Sequence, residues 1–288
     1  MGLGPAAVKL YLELWQRGLF ENIDSVVDVG SQELHIEQSE FEKLLREAGI
    51  PGIDPSDFPD IEKWPAQPRC SAKPFYNLLG VDEYSCIDMN AELGAIPLDL
   101  NEPLEDKSLY GKFDLVTDHG CNEHAFNVAE AYRTMHRLCR NQGLMICCQG
   151  VWNTNGYYLF DLSFFEGLAA ANNYKILFSS YIVDLESTES ESNHQFHVPL
   201  SRYLLDAFDN SKLATLGICY VLQKQNDEEF QFPYQGPYLS QRQGHSGFEL
   251  QFLSNPPSRT YVPMSEEVQS VRTRDLVRLV IKRILGKF

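Results

Sequence analysis

The sequence predicts an α/β fold, because short apolar runs alternate along the chain with helical stretches. Four of these runs end on aspartate, at Asp28, Asp88, Asp99 and Asp118. Ligands of an open parallel sheet bind in the crevice beyond the carboxyl ends of its strands, where these carboxylates would lie. A carboxylate accepts hydrogen bonds from ribose hydroxyls, from an exocyclic amine or from a cationic group. The pattern therefore predicts a ligand rich in donors, such as a nucleotide-like cofactor.

The predicted helices and strands follow in alternating order. A first helix covers Pro5 to Phe20, and a strand at Ser25 to Val29 leads through Gly30 into a second helix. That second helix carries a capping-box spacing at 39–42 and ends near residue 49. Six further strands are predicted at 84–88, 95–100, 113–117, 144–148, 176–183 and 213–222. Further helices are predicted at 122–140, at 163–172 with a second capping-box spacing at 163–166, and at 199–209.

We expect one main domain over residues 1–240 and a C-terminal extension over 241–288. Residues 51–83 are expected to be an insertion ahead of the second strand, because prolines crowd its first part and break regular structure. Two roles are compatible with this insertion. It forms a lid or part of the substrate wall, or it is an inert surface loop. The extension is expected to hold a terminal helix with acidic residues first and basic residues last. A docking or dimer helix is favoured over a membrane-surface helix, so a homodimer is one expectation.

The charge and the cysteines restrict the partners of the chain. With 40 acidic and 24 basic residues, the net charge of -16 repels a phosphate backbone, so we expect no nucleic-acid partner. No long apolar run or signal-peptide pattern is present in the sequence, so we expect a cytoplasmic protein without a membrane partner. The 7 cysteines form no C-x-x-C pair, and most are expected to be buried core residues. A small-molecule substrate fits this composition best.

The turn after the first strand argues against a pyrophosphate cofactor. Gly30 stands where the backbone turns sharply and approaches a ligand, directly before a helix. The dinucleotide fingerprint G-x-G-x-x-G is missing, because Gln32 and His35 occupy the positions of its second and third glycines. A nicotinamide-dependent oxidoreductase is therefore a disfavoured alternative.

Taken together, several segments resemble class I S-adenosylmethionine-dependent methyltransferases of the small-molecule type. The resemblance covers about Ser25 to Lys224 and is carried by the segments 27–32, 85–90, 96–101, 113–124, 155–158 and 164–165. It implies a Rossmann-like, doubly wound, mostly parallel seven-stranded sheet with an antiparallel last strand. It also implies S-adenosyl-L-methionine as the cofactor.

The resemblance further implies which residues bind the cofactor. These are Asp28, Gly30, Gln32, Asp88, Met89, Asp99, Leu100 and Asp118. Asp88 would accept from both ribose hydroxyls, with Met89 packed on adenine. Asp99 would accept from the adenine amine, and Leu100 would offer backbone contacts. Each aspartate has a plainer alternative as a turn or helix cap, and Asp28 as an organiser of its own loop.

Methyl transfer to a hydroxyl requires alignment and removal of one proton. The candidates for this step follow the strand at 113–117: they are His119, Glu123 and His124. The Glu-His pair resembles one in ubiquinone-biosynthesis O-methyltransferases, where an upstream glutamate completes a metal site; Gly120 stands at that position, so we predict no metal. The alternatives are a non-catalytic cofactor-binding or scaffold protein, and an N- or C-methyltransferase.

One histidine and one aromatic cluster lie outside the candidate site residues named above. His136 lies on the apolar stripe of its helix, and we expect a satisfied core histidine there. A cluster of aromatic residues follows the fifth strand and forms either a substrate wall or part of the core: Trp152, Tyr157, Tyr158, Phe160, Phe164 and Phe165. The acceptor, the atom that is methylated and the oligomeric state do not follow from the sequence.

Overall fold

The computed structural model describes residues 2–50, 70–185, 194–200 and 213–234. The helices within these ranges are α1 Pro5–Gln16, α2 Gln38–Ala48, α3 Lys73–Leu78, α4 Val128–Leu138 and α5 Leu162–Ala171. The strands are β1 Gly2–Leu3, β2 Ser25–Val29, β3 Glu33–Leu34, β4 Glu83–Ile87, β5 Phe113–His119, β6 Cys139–Trp152, β7 Lys175–Leu185, β8 His194–Pro199 and β9 Leu213–Gln223. β1 and β3 form a small two-stranded parallel sheet.

The main sheet has seven strands in the order β4-β2-β5-β6-β9-β7-β8. Parallel pairs join β2 to β4, β2 to β5 and β5 to β6. β9 pairs antiparallel with β6 on one side and with β7 on the other. The predicted Rossmann-like, mostly parallel sheet with an antiparallel last strand is therefore confirmed.

Helices cover both faces of this sheet, as a doubly wound fold requires. Alternate residues of β2 point to opposite faces, so that Val27 and Val29 belong to one hydrophobic core while Val26 belongs to the other. The first core is closed by α4 and α5, and the second by α1, α2 and α3. The carboxyl ends of β2, β4, β5 and β6 meet at one edge, which is where the site described below lies.

The composition of the sheet differs from the expectation at one strand. The predicted strand at 95–100 is wrong: this segment makes a single parallel bridge, between Ile87 and Ile96. Pro97 follows directly and has no N–H group to continue a ladder. The seventh strand is instead β8, which lies antiparallel to β7 at the edge of the sheet.

Two helix starts also differ from the capping-box predictions. α5 begins one residue after Asp161, whose side chain accepts a hydrogen bond from the backbone N–H of Ser163. α2 begins after Glu37, and no side chain caps it. The predicted helix at 122–140 is split into a short 3-10 helix at Asn122–His124 and α4.

Other predictions fall on segments for which the structure gives no description. They are the insertion up to residue 69, residues 201–209 of the predicted helix at 199–209, and the C-terminal extension at 241–288. Pro199, the predicted first residue of that helix, is instead the last residue of β8. Among the described helices, none is long and apolar enough to cross a membrane.

Candidate functional site

The turn at Gly30 brings the end of β2 against the loop that follows β5. Gly30 has a φ of 86°, and its N–H donates to the carbonyl of Ile87 at 2.8 Å. A Cβ atom at this position would lie 3.1 Å from Cys121 Sγ. Only glycine therefore fits this turn without strain or displacement of its neighbour.

Asp88 joins the loops that follow β2 and β4. Its Oδ2 accepts from the backbone N–H of Ser31 at 2.9 Å, and its Oδ1 accepts from that of Asn90 at 3.2 Å. The Ser31 hydroxyl also donates to the carbonyl of Glu92 at 3.1 Å. Asp88 is half-buried at the crevice edge. A carboxylate oxygen has two lone pairs, so Asp88 keeps acceptor capacity for a ligand.

The segment around Asp99 lies beside these loops. Met89 is 66% exposed, which leaves its side chain available for a planar ligand. Asp99 Oδ1 accepts from the backbone N–H and from the side-chain amide of Asn101, both at 2.8 Å. Leu100 is buried. Asn101 in turn binds Asn127 through its side-chain and backbone oxygens, and this pair ties the segment to the chain that follows β5.

Asp28 lies in the interior, at the centre of a group of hydroxyls. It is fully buried, and three hydroxyl groups donate to its carboxylate: Tyr76 at 2.8 Å, Tyr84 at 3.0 Å, and Thr117. Burial raises the pKa of Asp28 to about 6, against the lowering effect of these hydrogen bonds. The carboxylate therefore holds these three side chains together.

Gln32 offers an acceptor beside the turn. Its Nε2 donates to the carbonyl of Val29 at 2.7 Å and would lie 3.2 Å from a Cβ placed on Gly30. Its Oε1 is buried and accepts from no donor in the described part of the chain. A buried acceptor without a donor costs free energy, so this oxygen suits a donor supplied by a ligand.

Asp118 shapes the loop after β5. Its Oδ1 accepts from the backbone N–H groups of Cys121 at 2.9 Å and Asn122 at 3.2 Å. Its Oδ2 accepts from the side-chain amide of Gln149. Burial raises the pKa of this fully buried carboxyl to about 7.

The structure separates the three candidates for proton removal. His119 is buried, and its Nε2 is 2.9 Å from the hydroxyl of Tyr11 in α1. Glu123 is buried as well, and its Oε2 accepts from the N–H of Gly150 at 2.6 Å. His124 is exposed, with its Nε2 3.9 Å from Glu123 Oε1. Glu123 and His124 therefore lie side by side, with the His124 ring exposed, while His119 contacts α1.

The aromatic cluster is divided between the core and the surface. Phe160 and Phe165 are buried beside Tyr132 in the first core. Tyr157 is 73% exposed and packs edge-on against Phe126, which is 74% exposed, with 6.0 Å between the ring centroids. The hydroxyl of Tyr158 donates to the carbonyl of Phe126 at 2.7 Å and holds the two loops together. An exposed aromatic pair therefore stands beside His124.

His136 is a satisfied core histidine, as expected. Its Nε2 is 2.8 Å from the carbonyl of Glu228, and its Nδ1 is 2.6 Å from the hydroxyl of Tyr174. Since a carbonyl only accepts, the ring proton is on Nε2 and Tyr174 donates to Nδ1. Burial lowers the pKa of His136 to about 4.

Several residues that contact the site residues were missed by the sequence analysis. They are Tyr11, Tyr76, Tyr84, Thr117, Phe126 and Gln149. Tyr11 and Tyr76 lie on apolar faces of their helices, where a tyrosine looks like any other core aromatic. No group of three or more metal-ligating side chains occurs among the residues that the structure describes.

Comparisons with known proteins concern the fold. No protein-family model matches the chain, and no curated protein matches it. One similar solved structure is a 1,6-didemethyltoxoflavin-N1-methyltransferase from Burkholderia thailandensis with bound 1,6-didemethyltoxoflavin and S-adenosylhomocysteine. Its sequence is 10% identical, the match covers 76% of this chain and 80% of that chain, and the TM-score is 0.38. A SAM-dependent methyltransferase from Archaeoglobus fulgidus is 12% identical, with 75% and 94% covered and a TM-score of 0.35. At these low identities and TM-scores, the similarity concerns the fold alone.

Proposed function

We propose that this protein is an S-adenosylmethionine-dependent methyltransferase that acts on a small-molecule acceptor. The observation that carries the proposal is the hydrogen bond from the Ser31 N–H to Asp88 Oδ2 at the carboxyl edge of the sheet. It joins the glycine turn after β2 to the acidic loop after β4. The backbone at Gly30, which a ligand can approach closely, and the carboxylate of Asp88 therefore line the same crevice, as binding of a nucleoside cofactor requires.

The residues along the edge fit the parts of this cofactor in order. Gln32 Oε1, a buried acceptor, suits the ammonium group of the methionine part. Asp88 would accept from the ribose hydroxyls, and the exposed side chain of Met89 would pack on adenine. Asp99 would accept from the adenine amine. We assign Leu100, Asp28 and Asp118 supporting roles, through a backbone contact for Leu100 and through the loops that the two aspartates hold.

We propose O-methylation, with proton removal by the residues after β5. The bound cofactor supplies a methyl group on a positively charged sulfur. Either His119 or His124 would take the proton that the acceptor hydroxyl loses as its oxygen bonds to the methyl carbon and displaces the sulfur as a neutral thioether. Glu123 would stabilise a protonated His124, since its Oε1 lies 3.9 Å from Nε2 of that ring. The exposed pair Phe126 and Tyr157 would form an apolar wall for the acceptor.

We also propose that the protein works in the cytoplasm. All seven cysteines are free thiols, and six of them are buried. Free thiols are typical of proteins in reducing compartments.

Calorimetric titration with S-adenosylhomocysteine tests the cofactor assignment. We expect binding by the wild type and at least about 100-fold weaker binding by Asp88→Asn. The reason is that the two proposed hydrogen bonds from the ribose hydroxyls to a charged carboxylate are lost. Asp106→Asn is the matched control. Asp106 is exposed in a loop before β5, outside the crevice. Its carboxylate accepts from the backbone N–H of Ser108, as that of Asp88 accepts from Asn90.

Equal binding by Asp88→Asn and the wild type would contradict the cofactor assignment. The acceptor is tested with a panel of hydroxylated metabolites, and the expected product is heavier by one methyl group. Binding of the cofactor without product from any acceptor class would instead favour a binding or scaffold protein. A product methylated on nitrogen or carbon would keep the enzyme class and overturn the O-methylation proposal.

A further inference from the structure

A chain of buried polar side chains runs from Asp28 to His119. Asp28 Oδ1 accepts from the hydroxyl of Tyr76 at 2.8 Å, and the hydroxyl oxygens of Tyr76 and Tyr11 are 3.3 Å apart. The hydroxyl of Tyr11 lies 2.9 Å from His119 Nε2. Tyr11, Tyr76 and Asp28 are fully buried, and His119 is 5% exposed. Bulk water therefore does not compete for these hydrogen bonds.

The carboxylate of Asp28 sets the direction of the protons along this chain. The hydroxyl of Tyr76 has one proton, and its polar neighbours are the carboxylate of Asp28 and the hydroxyls of Tyr11 and Thr117. The charged carboxylate is the strongest acceptor of the three, and Thr117 donates to it as well. The Tyr76 oxygen is then free to accept, so Tyr11 donates to Tyr76. Having donated its only proton, Tyr11 can only accept from His119. Burial raises the pKa of both tyrosines, which keeps their hydroxyls protonated.

We propose that Asp28, Tyr76 and Tyr11 act as positioning residues that hold His119 in the tautomer with its proton on Nε2. Nδ1 then remains unprotonated and able to accept a proton. A second polar neighbour of the ring is Cys148, the register partner of His119 in β6. A thiol is only a weak donor, so the hydroxyl of Tyr11 decides the tautomer.

The consequence for catalysis rests on the proposed function. If His119 removes the acceptor proton, the tautomer decides which ring nitrogen can do so. The carboxylate of Asp28, two hydroxyl groups away, would stabilise the positive charge that His119 gains. Asp28 would thus influence the reaction without contact with the cofactor or the acceptor.

The tautomer can be measured without cofactor or acceptor. Protein labelled with ¹⁵N-histidine gives long-range ¹H–¹⁵N spectra that distinguish a protonated from an unprotonated ring nitrogen, and His119→Gln assigns the signals of His119. In the wild type at pH 8, we expect Nε2 to be protonated and Nδ1 unprotonated. In Tyr76→Phe, Tyr11 loses its acceptor and donates to His119 instead, so the tautomer with the proton on Nδ1 should become the major one. The expected change in the tautomer ratio is at least about five-fold, the ratio equivalent to a hydrogen bond of about 1 kcal/mol.

Tyr84→Phe is the matched control. It removes a hydroxyl that donates to the other oxygen of Asp28, at 3.0 Å, but Tyr84 does not lie between Asp28 and His119. We expect the wild-type tautomer in this variant. A wild-type spectrum with the proton on Nδ1 would overturn the proposal, whether or not the two tyrosine variants fold. An equal change in Tyr84→Phe and Tyr76→Phe would overturn it as well.

These spectra separate the proposal from the proposed function. If calorimetry detects no cofactor binding while the tautomer responds as expected, the network stands and the enzymatic assignment fails. If cofactor binding and turnover are found but the tautomer does not respond, the positioning role fails and the function stands.

Discussion

Tyr11 and His119 are 108 positions apart in the sequence, and the Tyr11 hydroxyl lies 2.9 Å from His119 Nε2. Tyr11 belongs to α1, and His119 is the last residue of β5. The N-terminal helix therefore reaches the edge of the sheet where the candidate site lies. Any change that displaces α1 also changes the surroundings of His119.

We predict that His119→Gln lowers turnover by about 100-fold or more, the range found for the loss of a general base. S-adenosylhomocysteine affinity should stay within about two-fold, since His119 is not among the proposed cofactor contacts. Steady-state kinetics and calorimetry on the same preparation measure both effects. His124→Gln is the comparison variant, and retained turnover in His119→Gln with loss in His124→Gln would assign the proton removal to His124.

Gly30→Ala should destabilise the fold and abolish cofactor binding. Alanine at a positive φ costs about 1–2 kcal/mol, and the added Cβ would also press on Cys121. Urea denaturation and calorimetry measure the two effects. Gly80→Ala is the control, because Gly80 has a φ of 87° and open space around its Cβ position. Gly80→Ala should lower the free energy of unfolding by the cost of the positive φ alone and should bind the cofactor as the wild type does. Equal losses of stability and of cofactor affinity in the two variants would contradict a close approach of the backbone to the ligand at Gly30.

The contribution of Asp28 to the free energy of unfolding should fall as the pH rises from about 4 to 6, whereas the buried His136 and His197, whose pKa values are lowered to about 4, contribute a rise over the same range. Asp28 has a raised pKa of about 6 in the folded protein, so the folded state binds its proton more tightly than the unfolded state. This contribution is fully present below the unfolded pKa and is lost as the pH rises through 6; Asp118 extends the fall to about 7.

Asp28→Asn should remove the part of this fall that lies below pH 6. An amide can still accept from Tyr76 and Thr117, so the variant should be more stable than the wild type at pH 8, by up to about 3 kcal/mol. Urea denaturation at several pH values measures the difference. An unchanged slope in Asp28→Asn would show that Asp28 does not carry the effect.

Tyr157→Ala should raise the KM for the acceptor by about five-fold and leave stability unchanged. The side chain is 73% exposed, so it contributes little to the core, while an aromatic contact with a ligand is worth about 1 kcal/mol. Acceptor kinetics and thermal unfolding measure the two quantities. Phe232→Ala, which removes an aromatic side chain that is 45% exposed beside Phe230, is the control. A raised KM in both variants would argue against a specific wall at Tyr157.

Lys224→Met should lower the free energy of unfolding by about 2–3 kcal/mol. Lys224 Nζ is buried and donates to the carbonyls of His136 at 3.0 Å and Cys139 at 2.9 Å, at the C-terminal end of α4. The variant loses both charge-assisted hydrogen bonds and the favourable interaction with the helix dipole. Lys43→Met, at an exposed ion pair, should change the same quantity by less than about 0.5 kcal/mol.

The local pattern of the sequence predicted most elements of the fold. Apolar runs marked β2, β4 and β5, and the aspartates at their ends marked the edge of the sheet, because burial of a strand is visible in consecutive residues. The pattern failed at 95–100, where Pro97 interrupts an otherwise strand-like run. It also misplaced the start of α5, where Asp161 caps the helix before the capping-box serine is reached.

The sequence by itself determined the α/β fold class, the glycine turn at Gly30 and the acidic edge with Asp88 and Asp99. Only the tertiary structure decided that Asp28 binds tyrosine hydroxyls in the interior, and that Phe126 and Tyr157 are exposed while Phe165 is buried. The physical reason is the range of the interactions. Strand burial and turns depend on neighbours in the sequence, whereas the partners of a buried carboxylate or histidine come from elements that meet only when the sheet and its helices pack.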